Sequence, residues 1–291
     1  MESHLHPKTQ RLREVLELRN STPAPIQRYG QLAEDFFGKQ AGRMDRGAVE
    51  TYLLALKKGG ASANYLRWNF SALRAIFQAL EKPWPFNRRD IPKGEEPKRP
   101  HFRMEEVEAL IRAAQQMGAR ECALVRVAAI TGCRRIELSR MNRADIEKGS
   151  VLIRTAKRGS RRARPLDPAT LRAVNAWLGT RKDRNPALWV GGMDSAGRFI
   201  PNGSRLSPNG VSNVFAEIRK AAGKGSKGAG IHALRRGLVT LLRREGMSEA
   251  EIRDLMGWAE GSPMVGVYSR LEPGEAEGHL KAVHPFFRRG R

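Results

Sequence analysis

Residues 231–271, IHALRRGLVTLLRREGMSEAEIRDLMGWAEGSPMVGVYSRL, decide how this chain is read. The stretch opens with His232 and Arg235, three positions apart, so on a helix both side chains share one face. A ring nitrogen beside a forked guanidinium makes a clamp for a phosphate. Ser248 and Glu251 form a capping-box start to a second helix, which ends near Met256. The stretch then reaches Tyr268, the only tyrosine after Tyr65. If a phenol does covalent chemistry on a phosphate in this part of the chain, it is that one.

Two upstream segments carry matching chemistry. Residues 121–131 are nearly all apolar, as in a helix buried on most sides. Gly132 breaks that helix, and Arg134, Arg135, Glu137 and Leu138 follow. Arg134 sits three and four positions before Glu137 and Leu138, whereas Arg135 points about 100° away on a helix, so Arg134 is the better partner for that face. A surface arginine merely pairing with Glu137 gives the same local pattern. Between Gly149 and Leu166 lie six basic residues and no acid: Arg154, Lys157, Arg158, Arg161, Arg162 and Arg164. Apolar ends around a turn at Gly159 read as a β-hairpin. So charged a hairpin stays near another basic surface only with a polyanion between them, although any one of these residues also fits a solvated turn.

These residues resemble the tyrosine recombinases, the phage-integrase family. His232-x-x-Arg235 is followed by Leu255-x-Gly257-Trp258 and then Tyr268, and residues 131–138 match the box Thr-Gly-x-Arg-x-x-Glu-Leu. The step of ten from Trp258 to Tyr268 is one residue longer than is usual in the family. The resemblance implies a catalytic set of Arg134, Lys157, His232, Arg235, Trp258 and Tyr268, with Glu137 supporting Arg134. Lys157 is carried over as the hairpin lysine, and Arg158 is its fallback. The resemblance covers roughly residues 100–275 by motif and the N-terminal part by architecture.

It implies a mainly α fold with a small antiparallel β-sheet in the catalytic domain, and a division into two domains. Residues 1–82 read as an N-terminal helical bundle of the core-binding, SAM-like kind. Asp45 and Ser62 cap two of its helices, and Leu66, Phe70, Leu73, Phe77 and Leu80 form a core stripe. Arg67 and Arg74 lie off that stripe and face DNA in this reading. Residues 83–100 hold five prolines among charges and read as a linker. Residues 101–291 form the catalytic domain and end in a tail helix with Leu280, Val283, Phe286 and Phe287 apolar. The tail packs in cis or onto a neighbour; the two options stand equal here. Together the domains are expected to close around duplex DNA.

Composition agrees. The 53 Lys and Arg against 30 Asp and Glu leave a charge of +23, an excess that marks a polyanion partner. No apolar run is long enough for a membrane span, and the N-terminus has no signal-like apolar core. Cys122 and Cys133 read as buried free thiols of a reducing compartment. Residues 191–206 read as a Gly, Asn and Ser-rich loop. Residues 223–230, GKGSKGAG, contain a bare G-x-G-x-x-G. A helix precedes it rather than a strand, so it is read as a basic loop that brings Lys224 and Lys227 to the DNA backbone, not as a dinucleotide fingerprint. Arg236 completes the expected DNA contacts.

The implied reaction is phosphoryl transfer with no metal or other cofactor; the histidines His4, His6, His101, His279 and His284 have no zinc-like spacing. Tyr268 attacks a scissile phosphate to give a 3′-phosphotyrosyl bond and a free 5′-hydroxyl. Arg134, Arg235 and His232 stabilise the equatorial oxygens, each such donor being worth about 3–4 kcal/mol. His232 accepts the phenol proton, Lys157 protonates the leaving oxygen, and Trp258 positions, since an indole donates but does not shuttle a proton. The expectation is a cytoplasmic, nucleoid-associated site-specific recombinase. Its partners are double-stranded DNA, other copies of itself from dimer to tetramer, accessory DNA-bending or direction-setting proteins, and no membrane. The rivals are a type IB topoisomerase-like relaxing activity and a non-catalytic DNA-binding protein on the same fold.

Overall fold

The computed structural model describes residues 5–21, 23–94, 100–154, 161–193, 199–223, 229–262 and 264, with backbone alone for 192–193 and 199–202. Lys157, Arg158, Lys224, Lys227, Tyr268 and the expected tail helix lie outside the described residues. The chain divides into two compact units, residues 1–98 and 99–291. No helix among the described residues is long and apolar enough to cross a membrane.

The described part of the first unit holds α1 (Pro7–Leu18), α2 (Pro23–Lys39), α3 (Arg46–Lys58) and α4 (Ala63–Ala79). Local chemistry sets two of the starts: the Asp45 side chain accepts from the Ala48 amide at 2.8 Å, and Ser62 from the Tyr65 amide at 3.2 Å. Phe36, Phe37, Tyr52, Leu73, Ile76 and Phe77 make the core, and Arg67 and Arg74 are exposed on α4. The segment expected to be linker from residue 83 starts as packed structure instead. Trp84 meets Phe70 and Phe77 edge-on, each at 5.0 Å between ring centres, and Arg46 bonds Asp90 at 3.3 Å. Aromatic burial holds these residues on the unit, an effect that a proline count does not register.

The second unit is built around α6 (Ala119–Thr131), whose residues from Arg120 to Val125 and at Val127 and Ala128 are buried. Before it comes α5 (Met104–Met117), and after it the short α7 (Arg135–Ser139). Strands β1 (Ile146–Glu147), β2 (Ser150–Arg154) and β3 (Arg161–Pro165) form an antiparallel sheet in the order β1-β2-β3. Helix α8 (Pro168–Gly179) follows, capped by Asp167, which accepts from the Ala169 and Thr170 amides. Strands β4 (Val190–Met193) and β5 (Phe199–Arg205) form a second antiparallel pair where a loop was expected. Glycine and asparagine weaken strand propensity there, but pairing of the two strands supplies what local composition lacks. Helices α9 (Pro208–Ala221), α10 (His232–Arg244) and α11 (Glu249–Met256) complete the described unit. Helices α10 and α11 bury Val239, Ile252 and Met256 between them, with Leu238, Leu255 and Trp258 packed alongside. The fold is mainly helical with small antiparallel sheets, as the resemblance implied.

Candidate active site

Helix α6 stops at Gly132, which is left-handed at φ 59°. A Cβ there would lie 3.1 Å from Leu238 Cδ2, 3.3 Å from Met256 Sδ and 3.5 Å from Arg235 Cγ. Glycine therefore serves both the turn and the close approach of α10 and α11. The chain turns into Arg134, the residue capping α7. Its amide donates to Glu137 Oε2 and its Nη1 to Oε1, both at 2.9 Å. Arg162, from β3, donates through Nη2 to Glu137 Oε2 at 3.0 Å. Burial works to raise the Glu137 pKa, but the Arg134 amide and the two guanidiniums outweigh it and hold the carboxyl below its usual range. One buried carboxylate thus orients two arginines. Arg134 pairs with Glu137 from a capping position with extended backbone (φ −71°, ψ 150°), not from within a helix as the spacing argument assumed. Arg135 is exposed and donates to Asn209 at 3.3 Å.

Arg235 is 2% exposed on α10. It donates to the Gly132 carbonyl at 2.6 Å and to the Met256 carbonyl at 2.7 Å, and its guanidinium carbon lies 5.0 Å from the Trp258 ring centre. The left-handed Gly257 (φ 61°) ends α11, and the Trp258 amide returns to the Arg253 carbonyl at 3.0 Å. Three sequence-distant motifs, at 131–138, 232–235 and 255–258, therefore meet around one guanidinium. His232 stands solvent-accessible at the first position of α10. Partial burial of the ring, and then the charges of Arg235, Arg236, Arg135 and Arg134, push its pKa below the usual histidine value. The shift favours the neutral imidazole, set in a positive field.

The structure sorts the remaining basic residues. Arg161 is exposed on β3. Arg162 and Arg164, expected at DNA, face inward, with the Arg162 side chain 10% and Arg164 9% exposed. Strand alternation explains this: Ile153 pairs with Arg162 and Val151 with Arg164, and both apolar partners are buried. Arg164 donates to the carbonyls of Asp254 and Leu255 at the end of α11. Arg154 is held by the buried Asp145 at 2.6 Å, and Arg236 donates through Nε to the Pro100 carbonyl at 2.7 Å. Charge alone placed Arg162 among DNA contacts and missed its link to Glu137. The inward face of β3 follows from its register with Val151 and Ile153, which charge does not reveal.

The chain is similar to known proteins in sequence and in fold. The family model described as the phage integrase family matches residues 101–275. Tyrosine recombinase XerC of Rhodospirillum centenum is 30% identical over 266 residues, covering 85% of this chain and 74% of that protein. Tyrosine recombinase XerA of Pyrococcus furiosus is 27% identical over 259 residues, covering 88% and 86% respectively. Among solved structures, a lambda integrase dimer bound to a COC′ core site has a TM-score of 0.70 at 18% identity, covering 91% of this chain and 77% of that one. At that identity the last comparison speaks to the fold alone.

Proposed function

We propose, for a chain that belongs to the phage integrase family and is a tyrosine recombinase that cuts and rejoins DNA at specific sites, that the reaction runs through a 3′-phosphotyrosyl bond at Tyr268. The Tyr268 oxygen attacks the scissile phosphorus and the bond to the 5′-oxygen breaks. The phenol proton goes to His232, and the leaving oxygen takes a proton from Lys157. Arg134 and Arg235 carry the charge that builds on the equatorial oxygens, and Trp258 positions the site. Storing the bond as a phosphotyrosine lets the 5′-hydroxyl of another strand reverse the step.

The observation that carries this reading is the convergence on Arg235. Its bonds to the Gly132 and Met256 carbonyls hold the Arg134 box beside the Trp258 step that leads to Tyr268 in sequence. Duplex DNA and further copies of the chain, from dimer to tetramer, are the partners, with accessory proteins setting direction. Arg67, Arg74 and Arg161 are exposed and available to phosphates, and Lys224 and Lys227 complete the contacts. Cytoplasm, at the nucleoid, is the place of action.

Polarity tests the chemistry. After cleavage of a labelled duplex and proteolysis, the released strand should carry a 5′-hydroxyl that a kinase phosphorylates directly. A released 3′-hydroxyl, with protein on the 5′ end, contradicts the scheme.

A further inference from the structure

Arg162 makes a single hydrogen bond among the described residues, to Glu137. Its Nε and Nη1 are buried and have no hydrogen-bond partner among the described residues. A guanidinium carries five donors, and leaving buried ones unmade is costly. The ion pair of Arg162 with the buried Glu137 is also poor value for stability compared with apolar packing. The arrangement therefore calls for a reason other than holding the fold.

Its surroundings supply one. Arg162 touches the carboxylate that aims Arg134. On its other side it lies against Gly257, where a Cβ would come within 2.5 Å of Nη1 and 3.2 Å of Cζ. Gly257 is the left-handed residue that turns the chain from α11 into Trp258. Neighbouring guanidiniums hold the same helix end: Arg164 takes the carbonyls of Asp254 and Leu255, and Arg235 that of Met256. Strand β3 thus grips the two parts of the site that must stay in register.

We propose that Arg162 is a positioning residue of the cleavage reaction: through Glu137 it fixes Arg134, and through Gly257 it fixes the turn into Trp258, without touching DNA. This rests on the tyrosine-recombinase chemistry proposed above for Arg134 and Tyr268.

The test uses the full chain and a nicked suicide duplex, reading the single-turnover rate of covalent adduct formation, duplex affinity and thermal midpoint. Wild type, Arg162→Gln, Arg162→Lys, Glu137→Gln and the Arg162→Gln/Glu137→Gln double variant are compared. Arg162→Gln should slow adduct formation by up to roughly a hundredfold, the scale of a small misplacement in a reacting pair, while leaving duplex affinity unchanged. Arg162→Lys should recover part of the rate. The double variant should be little slower than Glu137→Gln alone, because the two residues act as one unit. An unchanged rate in Arg162→Gln, a lost duplex affinity, or rate losses that simply add in the double variant each overturn the proposal. Should Arg162→Gln fail to fold, Arg162→Lys against Glu137→Gln carries the same comparison. An inert wild type counts against the chemistry itself and is separable from all of these.

Discussion

Arg235 and Met256 are joined by a 2.7 Å hydrogen bond from a guanidinium that is 2% exposed to the last helical carbonyl of α11. The same guanidinium serves the Gly132 carbonyl at the end of α6. A residue proposed to meet a phosphate is therefore also a clip between two helix ends, and its removal should be felt in both roles.

Arg235→Ala should destabilise the second unit, since each buried carbonyl left without its donor costs about 1–3 kcal/mol. Denaturant unfolding measures this. Single-turnover cleavage should fall by roughly 10²- to 10³-fold, the usual cost of one transition-state donor. Arg235→Lys keeps the charge but not the fork, so it should regain part of the stability and little of the rate.

His232 gives a pH signature. Its native pKa lies below the ordinary histidine value, so folding favours the neutral ring. The stability linked to that preference is full above the unfolded value of about 6.5 and is lost as pH falls through the lower native value. Cleavage by the free enzyme should accordingly show its acid limb below about 6.5. His232→Gln should lower the rate by roughly 10²-fold or more and abolish that limb. A limb that survives in the variant assigns the proton to another group.

Two arginines on one strand should behave in opposite ways. Arg161 is exposed, so Arg161→Ala should weaken duplex binding and reduce the slope of log affinity against log salt by about one. Arg164 is buried against the Asp254 and Leu255 carbonyls, so Arg164→Ala should lower the thermal midpoint. Its salt slope should remain that of wild type. Equal salt slopes for wild type and Arg161→Ala would remove Arg161 from the DNA surface.

What the sequence made legible was local. Asp45, Ser62 and Ser248 each cap a helix as their positions suggested, because a cap depends only on the next three residues. Arg134, Glu137, Arg235 and Trp258 are brought together as their motifs implied. The less legible features were non-local. Strands β4 and β5 both come from the glycine-rich segment, where neither shows a strand pattern until the two pair. Trp84 and Phe86 fold back onto the first unit's core although five prolines suggested a linker. Arg162 and Arg164 turn inward because β3 takes its register from β2. Charge composition has no access to that register.

The central proposal is that Tyr268 forms a covalent bond to DNA. The most direct measurement incubates the protein with nicked suicide duplexes covering its target, isolates the denaturant-resistant adduct and maps it by mass spectrometry. The account predicts an adduct on Tyr268 that vanishes in Tyr268→Phe while that variant keeps wild-type duplex affinity. An adduct that persists in Tyr268→Phe, or maps to another side chain, contradicts it.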